Sequence, residues 1–538
     1  MERRSFVVTV AAAAVLAFAA VRPAAHAWKG NAPAAPGAID AAFDAFWAAG
    51  APADAGALVD GIVKAGASFD EVYRRLQQGR MYAAQPAGQV RLSNRTADKV
   101  EHNFILNIPE GYDPSRKYQV RIQLHGGVGG RRDNRVVGAG TIGALGGDDD
   151  QIYIIPYAWA AAPWWDDDQV LNLRAIVDAA KRRYNVDENR VVLSGVSDGG
   201  TGAYYVAMRD TTPFAAFLPL NGYWMVLASS DIDDGSLFPG NIRNKPFFIV
   251  NGGRDPLYPT MQVDPHVAHM KAGGVALEYR PQPNAGHNTQ WWPEVKSSYE
   301  GFVRAHSRVP LPDTLTWETA STTTINRAHW LIIDTLGQSR EEAKALPDLN
   351  LMAAAPRPDF GARAIGTRIS RVMPGSNADK IGLKPGDVLM HVNDETVPSN
   401  VDVGDAMTDI KPGTTLELLV ARDNAPVELS GTYDPLTMTP TPPRVLFSRG
   451  RPSGRVDLTR RGNTVQAATR GVTAFTLLLS PDQFDFSKPV TVVANGRTVF
   501  DGRVRKDVRT LLKYAAADND RTMLFGAELT IDLTREMR

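Results

Sequence analysis

The chain has 538 residues, 59 Lys+Arg against 59 Asp+Glu, with 43% hydrophobic and 22% charged residues. That composition excludes a disordered chain, and zero net charge argues against a nucleic-acid binder that works through bulk charge. There is no cysteine, so disulfides, thiolate metal sites and a cysteine nucleophile are excluded; the length predicts several domains, each held by its own packed core.

In chain order, residues 1–27 read as an export signal. Arg3 and Arg4 precede an apolar run from Phe6 to Val21, and Ala25-His26-Ala27 supplies a small-x-small cleavage site. The run is 16 residues long, short of the roughly 20 a membrane-spanning helix needs. Arg3-Arg4-Ser5-Phe6-Val7 is similar to a twin-arginine signal. The expected location is periplasmic or secreted, with no integral membrane span in the mature chain. Residues 28–90 carry apolar side chains at three- and four-residue spacing around Phe43 to Trp47, Leu58 to Val63 and Phe69 to Leu76, which predicts a helical segment serving as a cap or prodomain. From 91 to 308, strands (Phe104 to Ile108, Tyr118 to Leu124, Ile152 to Pro156, Arg190 to Ser194, Phe247 to Val250) alternate with helices (Leu171 to Tyr184, Thr201 to Met208, His266 to Ala272, Glu294 to His306). This alternation predicts a doubly wound parallel sheet covered on both faces.

Residues 313–346 and 444–538 are strand-like. Two strands alone do not make a stable sheet. The early pair is therefore expected to join the late strands in one C-terminal β-sandwich, with Trp317 or Trp330 touching the strands of 455–533. A Pro/Ala-rich linker, Leu346 to Pro358, and a compact unit at 359–434 are inserted between the two parts.

The chemistry centres on Gly195-Val196-Ser197-Asp198-Gly199-Gly200, a G-x-S-x-G string between a strand and a helix. A nucleophile elbow needs that context: the turn is so tight that the serine's neighbours have little room for side chains. A serine hydroxyl needs a base, and the expected order is serine, acid, histidine. Asp255 lies in the loop after Phe248-Ile249-Val250, and His287 lies in the glycine-containing loop after Leu277 to Tyr279. Ser197, Asp255 and His287 are the candidate catalytic residues; Asp264 competes as the acid, and His266 and His269 as the base. Ile122-Gln123-Leu124-His125-Gly126-Gly127 is a strand ending in His-Gly-Gly, so the N–H of Gly126 or Gly127, with that of Asp198, is the candidate oxyanion hole. Trp164, Trp165 and Trp291 are candidates for an aromatic substrate wall. Asp166-Asp167-Asp168 reads as a solvated turn or helix start rather than a metal cluster.

On these strings, and on Val186-Asp187-Glu188-Asn189-Arg190-Val191 ahead of the elbow, residues 91–308 resemble α/β-hydrolase esterases of the polyhydroxybutyrate-depolymerase and feruloyl-esterase type. They also resemble prolyl-oligopeptidase-type serine peptidases. The resemblance implies a Ser-Asp-His triad, acyl-ester substrates, and neither metal nor cofactor. The chain departs from those esterases in lacking their cysteines and in carrying Asp198 where they have a small residue.

A second resemblance rests on Pro374-Gly375-Ser376-Asn377-Ala378, Ile381-Gly382-Leu383-Lys384-Pro385-Gly386-Asp387-Val388-Leu389 and His391-Val392-Asn393. The unit at 359–434 closely resembles a PDZ domain of the bacterial periplasmic-protease type. That implies a partner taken as an added strand, a protein C-terminus or an extended peptide, with its carboxylate near Phe360, Gly361, Ala362 and Arg363. The flanking helix is expected at Val403 to Ile410. The combined expectation is an exported serine hydrolase working through an acyl-enzyme, on esters rather than peptides. The alternatives are a serine peptidase with PDZ-guided substrates and a non-catalytic PDZ-containing binding protein.

Overall fold

The computed structural model describes residues 37–97, 99–130, 151–339, 342–343, 348–352, 358–398, 406–407, 410–437, 444–447 and 450–535. The expected export signal and most of the helix expected at 403–410 lie outside them.

The largest sheet has eight strands: β1 (Gly88–Arg95), β2 (Glu101–Ile108), β3 (Tyr118–Leu124), β4 (Gln151–Pro156), β5 (Val186–Val196), β6 (Ala216–Leu220), β7 (Phe247–Gly252) and β8 (Leu277–Gln282). Their spatial order is β1-β2-β4-β3-β5-β6-β7-β8. β3 to β8 pair parallel, whereas β1 and β2 form an antiparallel hairpin and β2 is antiparallel to β4. A short turn can only return a chain antiparallel; the parallel pairs need crossovers. Helices Asp167–Arg183, Asp198–Arg209 and Thr260–Ala272 belong to such crossovers. The boundary expected at residue 91 falls inside a strand, because β1 begins at Gly88.

The two faces follow from the period of two along each strand. Leu193, Phe217, Phe247 and Ile249 pack with those three helices, while Val192, Leu218, Phe248 and Val250 pack under helix Trp292–Ala305. Covering both faces explains why β3, β6 and β7 are buried at every position.

Helices Ala38–Ala48, Pro52–Ala57, Val59–Lys64 and Phe69–Gln78 pack through Phe43, Phe46, Ile62, Val72 and Leu76 onto Leu511, Leu512 and Ala515 of helix Val508–Asp518. The N-terminal segment is thus seated against the C-terminal part of the chain. Arg182, in helix Asp167–Arg183, ties it to the large sheet's helical layer by donating to the Ala49 carbonyl at 2.7 Å.

The β-sandwich has a five-stranded sheet (Arg497–Gly502, Val490–Ala494, Thr464–Arg470, Gly454–Arg461, Thr314–Thr319) and a four-stranded sheet (Arg327–Ala328, Leu331–Leu336, Val472–Leu479, Ala527–Asp532). Trp317 stands opposite Val456, and Leu331 opposite Leu477. Trp317 and Trp330 share one buried core with Phe475 and Val492. Residues 444–447, expected in the sandwich, are not part of either sheet. Arg444–Val445 pairs with Leu351–Met352 in a two-stranded ribbon, and the sandwich resumes at Gly454. Leu349, Leu446 and Phe447, which flank this ribbon, are buried in the core of the large sheet instead. The apolar side chains there decide the placement: Phe447 meets the ring of Trp224 edge-on at 5.7 Å. Residues 362–432 form a separate sheet, in the order Ala362–Ile365, Arg368–Val372, Val388–Val392, Thr415–Arg422, Ala425–Thr432.

Candidate active site

The parallel strands deliver their C-terminal ends to one edge of the sheet, where ligands bind in open α/β folds. Ser197 directly follows β5 and opens helix Asp198–Arg209. Its backbone is at φ 57°, ψ −120°, a region costly for a residue with a Cβ and typical of stored strain at a site. The glycines around it are sterically required. A Cβ on Gly195 would lie 2.1 Å from the Gly199 carbonyl oxygen, and one on Gly199 would lie 2.3 Å from that of Leu124.

Ser197 Oγ lies 2.8 Å from His287 Nε2, and His287 Nδ1 lies 2.7 Å from Asp255 Oδ2. The other carboxylate oxygen of Asp255 accepts the backbone N–H groups of Leu257 (2.8 Å) and Tyr258 (3.0 Å). Burial would raise this carboxyl, but the His287 bond and the two backbone donors outweigh it and hold it below the usual carboxylate value. Asp255 is therefore an anion that accepts from His287 Nδ1–H, leaving Nε2 to face the serine as an acceptor.

The competitors named from sequence are engaged elsewhere. Asp264 accepts from the Tyr279 hydroxyl at 2.7 Å, His269 donates Nε2–H to the Leu349 carbonyl at 3.0 Å, and the His266 ring packs edge-on against Tyr223 at 5.3 Å.

The His-Gly-Gly turn closes over the serine. A Cβ on Gly126 would come within 3.0 Å of Ser197 Cβ, and Gly127 sits at φ +69°. His125 Nε2 accepts from the Ala158 N–H at 3.1 Å, so its proton is on Nδ1 and is donated to the Gly126 carbonyl at 2.8 Å. Burial pushes the His125 pKa down, which keeps this neutral tautomer in place. Asp198 Oδ2 accepts the N–H of Val128 at 2.9 Å.

The aromatic wall is not formed as expected. Trp164 is fully buried; its Nε1–H donates to the His125 carbonyl at 2.8 Å and its Cβ fills the space beside Gly202. Trp291 is buried with Trp292 and Tyr299 in the core under helix Trp292–Ala305. Trp165 is half-buried against the core on the other face. Their apolar bulk and the covering helices draw them inward. Asp166 caps helix Asp167–Arg183 by accepting from the Asp168 N–H at 2.9 Å, and Asp167 pairs with Arg209.

Three residues at the site escaped the sequence reading. The Tyr258 ring stands edge-on to His287 at 5.8 Å; burial first, then the charges of Asp198 and Asp255, raise its hydroxyl pKa. Asn221, at φ 48°, donates to the Asn288 carbonyl at 2.7 Å and so pins the residue after His287. Asn251 donates to the Gly222 carbonyl at 3.2 Å. An Asn-Gly pair just after a strand, as at Asn221-Gly222, was the one legible signal, since asparagine tolerates the left-handed region.

In the smaller sheet Ala362–Ile365 is an edge strand, and Ile365 is 79% exposed. The loop ahead of it is built around a carboxylate of its own chain. Buried Asp359 accepts the Gly361 N–H at 2.8 Å and is paired by Arg363 through bonds of 2.8 and 2.7 Å. Gly361 is at φ +87°, and a Cβ there would lie 2.1 Å from Ser376 Cβ. Phe360 packs on the domain's core beside Tyr433. Two of the donors expected to meet a peptide carboxylate are thus already bonded to Asp359.

The eight-stranded order with a serine on a strained strand-to-helix turn is the α/β-hydrolase arrangement. Residues 368–422 match the family model of the PDZ domain. An α/β-hydrolase domain is fused here to a PDZ domain. Over 74 residues, the chain is 38% identical to "Serine protease HTRA1" of Xenopus tropicalis, covering 14% of this chain and 16% of that one. Over 149 residues it is 30% identical to "Probable feruloyl esterase C" of Aspergillus terreus, covering 26% of this chain and 54% of that one. The chain spans at most about half the length of these curated relatives. Among solved structures, "Crystal Structure of a Thermostable Esterase" aligns at 19% identity and TM-score 0.33, over 41% of this chain and 63% of the other. Among the described residues, no helix is long and apolar enough to cross a membrane.

Proposed function

We propose that this protein is an exported serine hydrolase that cleaves carboxylic esters through an acyl-enzyme. One observation carries the reading: Ser197 Oγ, His287 and Asp255 lie in a relay of 2.8 and 2.7 Å on a strained elbow beside the Gly126–Gly127 turn. His287 Nε2 takes the Ser197 proton as Oγ attacks the ester carbonyl. Asp255 holds the imidazole in the Nδ1–H tautomer and stabilises its charged form. The N–H groups of Asp198 and of Gly126 or Gly127 receive the oxyanion, at the N-terminus of helix Asp198–Arg209 where negative charge is favoured. His287 then protonates the leaving alcohol, and water attacks the acyl-enzyme by the same route in reverse. The stretch aligned with the probable feruloyl esterase favours an ester over an amide substrate. Export rests on residues 1–27 of the sequence. The PDZ edge strand is the proposed seat of an extended peptide.

The test is labelling of the full chain with a fluorophosphonate, beside Ser197→Ala, followed by paired p-nitrophenyl esters and p-nitroanilides. Labelling of the parent alone, with ester turnover exceeding anilide turnover, supports the reading. Anilide cleavage at an equal or higher rate would replace it with a peptidase. Folded protein that stays unlabelled would leave a binding protein.

A further inference from the structure

We propose that the side chain of Asp198 is a positioning residue for the oxyanion turn, acting through Val128; this rests on the serine-hydrolase reading. Four observations converge on it. The turn from His125 to Val128 contains two consecutive glycines, one at φ +69°, which have no side chains to fix their own N–H groups. Glycines are the softest points of a backbone. On the approach side the turn is held three times: by Trp164 Nε1–H on the His125 carbonyl, by the Ala158 N–H on His125 Nε2, and by His125 Nδ1–H on the Gly126 carbonyl. On the exit side, Val128 is buried in the hydrolase core, and its N–H is taken by Asp198 Oδ2 at 2.9 Å.

The carboxylate has no ion-pair partner within 4 Å among the described residues. A negative charge next to a developing oxyanion opposes it, so charge alone gives this residue no reason to be there. Its acceptor does. A charge-assisted bond to a backbone N–H is shorter and stronger than a neutral one, and the helix N-terminus where Asp198 sits offsets part of the charge. One residue thereby sets both halves of the hole: its N–H follows the nucleophile, and its carboxylate fixes the distance from that N–H to the Gly126–Gly127 turn. This also accounts for the acid at a position where the resembling esterases carry a small residue.

The experiment uses the full chain and a p-nitrophenyl ester, comparing Asp198→Ala, Asp198→Asn and the parent, with fluorophosphonate labelling rates alongside. Asp198→Ala is expected to lower kcat by about 10- to 100-fold, less than the about 10²–10³ for deleting an oxyanion donor outright, with KM moving far less than kcat. Asp198→Asn keeps an acceptor for Val128 and is expected to recover most of the loss. If Asp198→Ala does not fold, Asp198→Glu, which keeps the charge but carries its oxygens one methylene past Val128, replaces it with the same expected loss of kcat. An Ala variant turning over at the parent rate, or an Asn variant as slow as Ala, overturns the inference while leaving the hydrolase standing. A parent that is folded but never labelled overturns both.

Discussion

Replacing Asp255 by Asn tests the relay by changing one atom. The side chain is fully buried and accepts three N–H groups. In Asp255→Asn the amide oxygen takes the place of Oδ1 and keeps the Leu257 and Tyr258 donors at 2.8 and 3.0 Å. The NH₂ group then replaces Oδ2, where it faces His287 Nδ1–H across 2.7 Å. Two donors cannot share that distance. The imidazole escapes by moving its proton to Nε2, so that Nδ1 accepts from the amide. Nε2–H then points at Ser197 Oγ and cannot take its proton. Loss of the correct tautomer costs about 10⁴-fold in kcat in the chymotrypsin-type triad, which is about 5 kcal/mol of transition-state stabilisation. The fold loses little, because the two backbone bonds survive and the amide donates to Nδ1 in place of the third. Steady-state hydrolysis of a p-nitrophenyl ester gives kcat, and a thermal melt confirms folding. A folded Asp255→Asn variant within tenfold of the parent rate would refute the assignment of Asp255 as the orienting acid.

Three further outcomes are expected. Gly199→Ala would force a Cβ to within 2.3 Å of the Leu124 carbonyl oxygen; backbone on both sides leaves no relief, so about 1–3 kcal/mol of stability and most ester turnover should go, as read by urea unfolding and kcat. Phe447→Ala empties a site buried against Trp224 in the hydrolase core and should cost about 3–5 kcal/mol, lowering the hydrolase melting midpoint even though the residue follows the PDZ domain in sequence. His329 and His125 are held neutral, His329 by burial and then by the Lys245 and Arg308 charges, and His125 by burial. Their folded values lie below the unfolded one, so only the unfolded chain gains protons as pH falls under about 6.5; stability should drop by up to about 1.4 kcal/mol per pH unit for each. Unfolding midpoints between pH 7.5 and 5 check this, with His329→Asn flattening the slope.

Much of the hydrolase was legible in local pattern. Short apolar runs such as Phe247–Val250 leave little choice but a buried strand, and the glycines around Ser197 announce a turn that no other residues fit. The PDZ strings were legible for the same reason: Gly382 at φ +95° and Gly386 at φ +97° mark positions where the backbone itself demands glycine. The tryptophans stayed ambiguous in the sequence because their chemistry suits a wall and a core equally, and only covering helices distinguish the two. Asp359 was invisible as an occupant of the PDZ loop, since its bonds to Gly361 and Arg363 depend on how that loop folds back.

By itself, then, the sequence determined which residues could do the chemistry and which segments could be strands, because periodicity and steric demand at glycine act over a few neighbouring positions. Tertiary structure alone decided which histidine meets Ser197, 90 residues away, and which of two aspartates orients it. It alone placed the N-terminal helices on helix Val508–Asp518 and seated Phe447 against Trp224. Such contacts join surfaces hundreds of residues apart, and their energy comes from apolar area that is buried only when both partners arrive.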